Sequence, residues 1–176
     1  MMTTIIEAQK NMRQAYFSGG PGVLASGLVW LVAGIVAVSS SILAGVVALL
    51  IGGMFIHPAG ILLAKLLKRP GKHQQNNPLG QLAGESVFVL FIGIFIAFAM
   101  FQSRPELFFP VMLLVIGGRY LLFATMYGMR LYWGIGGVLA GAGMFITVSG
   151  APFAWGAFVG GTIELISASI IFYKER

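Results

Sequence analysis

The fold class this sequence predicts is an all-α membrane protein, a bundle of six transmembrane helices. Three observations carry the prediction. Of 176 residues, 58% are hydrophobic and only 9% charged, whereas soluble domains carry about 25% charge. Lipid must therefore solvate much of the surface. The apolar residues fall into six runs, each near the ~20 residues that span hydrocarbon at a rise of ~1.5 Å. The basic residues sit at the ends of those runs, where anionic lipid accounts for the net charge of +6 better than nucleic acid does.

Residues 1–17 carry Glu7, Lys10 and Arg13 among Ile5, Ala8, Met12, Ala15 and Tyr16 at helical spacing. That pattern predicts an amphipathic helix on the membrane surface, ahead of a single six-helix domain over residues 18–176. The first span runs from about Gly20 to Val38 and ends in a serine turn. The second runs from about Ile42 to Leu67. It contains Pro58, which has no amide hydrogen and whose ring clashes with the Met54 carbonyl, so a kink is expected there. Lys68 to Asn77 reads as an aqueous loop, with His73 exposed in it. The third span covers about Leu79 to Phe101, the fourth about Leu107 to Tyr127, the fifth about Tyr132 to Val148 and the sixth about Phe153 to Tyr173.

Six spans place both termini, the Lys68–Asn77 loop and the Met129-Arg130 turn on one side. That side holds Lys10, Arg13, Lys65, Lys68, Arg69, Lys72, Arg130, Lys174 and Arg176, nine positives against Arg104 alone on the other. The asymmetry predicts both termini in the cytoplasm. The expected location is the cytoplasmic (inner) membrane of a bacterium.

A weak period runs through the chain. The odd spans open with Gly22-Val23-Leu24-Ala25, Gly80-Gln81-Leu82-Ala83 and Gly137-Val138-Leu139-Ala140. The even spans carry the pairs Gly52-Gly53, Gly117-Gly118 and Gly160-Gly161. Three repeated hairpins follow, at about 20–67, 79–127 and 132–173, with the glycine pairs expected at helix contacts.

The stretch from His57-Pro58-Ala59-Gly60 through Pro78-Leu79-Gly80-Gln81 and Gly84-Glu85-Ser86 to Phe109-Pro110 and Gly117-Gly118-Arg119-Tyr120 resembles a family of small bacterial multi-pass membrane proteins without assigned function. The last span, Val159-Gly160-Gly161-Thr162-Ile163-Glu164, also resembles the final helix of HdeD-type acid-resistance membrane proteins. The first resemblance implies no activity, and the second implies stress-linked membrane residence.

Ionisable residues inside spans are costly and mark candidate sites. Here they are His57, Glu85, Arg119 and Glu164. His57, Arg119 and Glu164 each lie 10 or 11 residues from a basic boundary residue (Lys68, Arg130 and Lys174), hence at matched depth, about 15 Å in. His57 shares a helical face with Gly53, Gly60 and Ala64, and Glu164 with Gly160, Gly161, Ser167 and Ala168. Small faces turn into a bundle. Arg119 has apolar neighbours on its face. The expected arrangement is an Arg119–Glu164 ion pair, with Glu85 the alternative partner for Arg119.

Two histidines and no cysteine give no metal-ligand spacing, so no metal or cofactor is expected. No nucleophile elbow, P-loop, zinc-protease or dinucleotide motif occurs, and the expectation is a non-enzyme. Two function classes remain. One is a small transporter- or channel-like protein that passes a small solute or ion along His57, Glu85, Arg119 and Glu164. The other is a structural or stress-response membrane protein in which those residues only lock the bundle. The bilayer is the expected partner, and a second copy of the chain is a further candidate.

Overall fold

The computed structural model describes residues 4–175. They form seven α-helices: α1 Ile5–Tyr16, α2 Gly20–Ser39, α3 Ile42–Leu66, α4 Leu79–Phe101, α5 Phe108–Tyr127, α6 Leu131–Ser149 and α7 Trp155–Lys174. Single 3₁₀ turns at Phe17–Gly19 and Pro105–Leu107 lead into α2 and α5. Six helical segments are long and apolar enough to cross a membrane. The first of them is α1 and α2 run together, with α2 supplying its apolar part.

Local chemistry sets the ends. The Thr4 hydroxyl accepts from the Glu7 amide at 3.3 Å, and the Glu7 carboxylate accepts from the Thr4 amide at 2.9 Å. This reciprocal cap satisfies two orphan donors at the start of α1. Between α1 and α2, Phe17, Ser18 and Gly19 all have positive φ (50°, 52° and 83°), an uncommon conformation for Phe and Ser that turns the chain sharply. Ser41 caps α3 by accepting from the Ala44 amide. Left-handed Gly128 and Gly150 follow the last residues of α5 and α6. α3 continues as one helix through Pro58.

α2 packs along α3 on one side and α7 on the other, while α5 packs along α6 and α4. Small residues permit these crossings. A Cβ on Gly117 would meet the Gly136 carbonyl oxygen at 2.7 Å, and one on Gly136 the Gly117 oxygen at 2.6 Å. Gly27 and Gly161 stand in the same mutual relation between α2 and α7. Of the six paired glycines, Gly52, Gly117, Gly160 and Gly161 face neighbouring helices. Gly53 and Gly118 face none, because adjacent residues lie ~100° apart on a helix and only one of a pair can meet a given partner. Consecutive helices α3 and α4 share no extended packing.

Two features of the polar end go beyond the sequence reading. α1 turns part of its apolar face onto the protein, while Ile5 and Ile6 stay exposed. Ala8, Met12 and Ala15 are buried, and α1 packs against α3, α4 and α5. The 68–77 loop is not simply aqueous. Its Gly71 amide donates to the Ala15 carbonyl at 2.9 Å. The buried Asn77 side-chain amide donates to the Ala8 carbonyl at 2.9 Å, and the His73 Nδ1 lies 2.8 Å from the Tyr16 hydroxyl. A one-turn-offset apolar stripe buries equally well against lipid or protein, and here the protein's own helix ends supply the partner.

Candidate functional site

α7 presents Gly160, Gly161, Glu164, Ser167 and Ala168 on one buried face. The small residues bring α7 close to α2 and α5, and this closeness seals Glu164, which is 0% exposed. The Tyr120 hydroxyl donates to Glu164 Oε1 at 2.7 Å. The Ser26 hydroxyl, from α2, also faces the carboxyl. Oε2 has no hydrogen-bond partner. A carboxyl so placed is desolvated on every side and only half satisfied, an expensive arrangement in a low-dielectric core.

An aromatic column continues from Tyr120 toward the polar end. Tyr120 stacks on Tyr132 with centroids 5.7 Å apart, and Tyr132 stacks on Tyr127 at 5.4 Å. Phe123 stands edge-on to all three rings. The Tyr132 hydroxyl donates to the Ser18 carbonyl at 2.5 Å, and the Ser18 hydroxyl to Glu175 Oε1 at 2.7 Å. These bonds hold the strained α1–α2 turn against the start of α6 and the end of α7.

The four residues singled out from the sequence do not converge. Glu164 is buried at the centre. Arg119 makes no ion pair with it: among the described residues the one ion pair is Arg104–Glu106, at 2.8 Å and exposed. The Arg119 guanidinium instead lies 5.4 Å from the Phe123 ring centroid, one turn nearer the polar end, with its Nε buried and unpartnered. Glu85 is no partner for Arg119 either. It is exposed on α4 and accepts from Gln81 Nε2 at 3.0 Å. His57 is exposed on α3. Matched depth fixes distance along a helix but not phase around it, so residues at one level can face different ways.

The missed residue is Tyr120. The small-face criterion that selects Glu164 also selects it, because Gly117 and Ala124 lie three before and four after on α5, both buried. Applied to α5, that criterion prefers Tyr120 to Arg119. Outside the spans, Arg104 helps hold the Glu106 carboxyl below its usual range, after the larger effect of the Glu106 backbone amide. The described acids and histidines form no group of three or more placed to hold a metal ion.

No curated protein and no solved structure matches this chain. A family model does match, over residues 5–174, described as a family of unknown function, DUF7010. The match takes in every helix and the Glu164–Tyr120 site. This multi-pass helical membrane protein therefore belongs to the DUF7010 family.

Proposed function

We propose that the protein is a small transporter-like membrane protein whose working group is Glu164, held by Tyr120 and Ser26. The observation that supports this is the half-satisfied carboxyl. It lies inside a membrane bundle, is fully buried, and has no cation in ion-pair reach among the described residues. Acids so placed are characteristic of proton and cation pathways. A proton arriving at Oε2 changes its hydrogen-bonding role from acceptor to donor and its departure reverses the change, and a small ion passing the site would find an open ligand there. The role is non-enzymatic. The nine-to-one charge asymmetry supports both termini in the cytoplasm, and the glycine-pair period supports descent of the three hairpins from one.

A second reading has its own support. The site is closed, with Leu113 and Trp30 against Gly160, and the likeness of the last span to HdeD-type proteins fits a stress-linked structural role. Here Glu164 and Tyr120 only lock α7 to α5.

Reconstitution into liposomes containing a pH-sensitive dye separates the two. Under an imposed membrane potential, the transporter-like protein carries protons inward, and Glu164→Gln, which retains an acceptor for Tyr120, abolishes the flux. Wild-type liposomes no leakier than protein-free ones, together with an unchanged melting temperature for Glu164→Gln, would establish the lock.

A further inference from the structure

The chain leaves α3 through a run of basic residues. Lys65 lies in the last turn of the helix, and Lys68 and Arg69 follow its end. The Lys68 amide donates to the Lys65 carbonyl and the Arg69 amide to the Ala64 carbonyl, both at 2.9 Å. These two bonds close a helix when the residue just past its end is left-handed. Here that residue is Lys68, with φ 59°. Glycine takes such a position freely, whereas a side chain there is strained. A cation at a helix C-terminus is favourable, but Lys65 already supplies one from within the last turn. Closure of the helix therefore does not account for a lysine at position 68.

Arg69 is held by aromatic rings. Its guanidinium carbon stands 4.8 Å from the centroid of the Phe17 ring, and Phe17 packs on Phe172 with centroids 5.5 Å apart. Phe17 begins the turn into α2, and Phe172 lies in the last turn of α7. Close approach of α7 to the start of α2 brings these rings together: a Cβ on Gly20 would meet Ile171 at 3.0 Å and Phe172 at 3.5 Å. Stacking occupies a face of the guanidinium and leaves its in-plane N–H groups to donate elsewhere. Phe17 and Arg69 are half-buried, while Lys65 and Lys68 are exposed. None of the three cations joins an ion pair among the described residues.

We propose that the end of α3 binds the headgroup of an anionic phospholipid, with Arg69 as the bidentate donor to its phosphate and Lys68 as a second charge. Charge complementarity selects the anion, since a guanidinium held in place and without an acid offers a phosphate two parallel hydrogen bonds. Position selects the lipid. Phe17, Arg69 and Phe172 stand where apolar spans end, the level at which anionic headgroups attract basic side chains. Leu62 and Leu66, on the last turns of α3, are exposed and offer the acyl chains an apolar surface. The site is separate from Glu164 and stands whether or not the protein transports.

Native mass spectrometry of the delipidated protein in detergent tests it. Phosphatidylglycerol and phosphatidylcholine, whose choline offsets the phosphate charge, are added at equal concentration. The wild type is expected to retain phosphatidylglycerol in preference. Arg69→Gln lowers that binding about tenfold, the loss of one charge-assisted contact. Lys68→Gly lowers it too and, by relieving the left-handed position, raises the melting temperature of the lipid-free protein. A lysine with no ligand would give the second effect without the first. Arg104→Gln, in the turn between α4 and α5, leaves binding unchanged. Inorganic phosphate and glycerol 3-phosphate at the same concentration do not displace the lipid, because neither brings acyl chains. If Arg69→Gln does not fold, Lys68→Gly decides the matter. Equal retention of the two lipids, phosphatidylglycerol binding untouched by Lys68→Gly, an equal loss in Arg104→Gln, or displacement by inorganic phosphate would each overturn the proposal.

Discussion

Tyr120 and Glu164 are each costly without the other. Removing the Tyr120 hydroxyl takes the 2.7 Å hydrogen bond from Glu164, and removing the carboxyl leaves a phenol buried without an acceptor. Losses of this kind cost about 1–3 kcal/mol. Tyr120→Phe and Glu164→Leu are each expected to lower thermal stability in detergent by that amount. In a double-mutant cycle the pair should couple by roughly 0.5–3 kcal/mol, as residues in direct contact do. The cycle of Arg119→Gln with Glu164→Leu should couple far less, since no ion pair joins them. Coupling stronger for Arg119 than for Tyr120 would mean that the guanidinium, and not the phenol, is the partner of Glu164 in solution.

Helix contacts give the pairs 52–53 and 117–118 one tight and one free member each, whereas Gly160 and Gly161 are both tight, and substitution should expose the difference. Gly117→Ala drives a methyl into the Gly136 carbonyl and should destabilise the α5–α6 crossing. Gly118→Ala meets nothing and should stabilise α5 by up to about 1 kcal/mol through helix propensity. Melting curves of the two variants should move in opposite directions.

The docked helix α1 is a second element whose role can be measured. Gln9 donates to the Thr125 carbonyl at 2.8 Å, and Arg13 donates to the Tyr127 carbonyl. Met12→Asp places a charge in the buried face and should release α1. Hydrogen exchange would then rise over residues 5–16 and 71–77 together, while α2 and α7 keep their protection. Acid should loosen the start of the same helix. The Thr4 amide, and after it the Thr4 hydroxyl, hold the Glu7 carboxyl below its ordinary 4.5. A lowered folded value means that the stabilising contribution is complete above the unfolded value and disappears as pH falls through the folded one. Amides at the start of α1 should gain an extra exchange step below pH 4.5 that Glu7→Gln lacks.

At the scale of the whole molecule, the polar end is the most heavily cross-linked part. The loop after α3, the end of α5 and the Ser18–Glu175 bond meet around α1 and the α1–α2 turn. The α1–α2 turn and the end of α7 therefore lie together, and six crossings are expected to put the turn at Ser103 on the other side. The chain has no cysteine, so single cysteines at the exposed positions 76 and 103 can be labelled without background. Reagents added from one side should reach only one of the two, and position 76 should face the cytoplasm. Labelling of both from a single side would be incompatible with six spans.

Composition and run length alone determined the class, the number of spans and their ends. The third span, from Leu79 to Phe101, coincides with α4, because hydrocarbon thickness imposes a length that no tertiary contact can alter. The candidate polar residues were legible in the same way, since any charge within an apolar run stands out. Their partners were not. Depth is written along the chain, but phase is settled by which small face meets which neighbour, and only packing decided that Tyr120 rather than Arg119 meets Glu164. Packing also decided that Ala8, Met12 and Ala15 of α1 meet the other helices, and that α3 and α4, adjacent in sequence, stand apart. An apolar stripe states that it will be covered, and the three-dimensional arrangement of the other helices states by what.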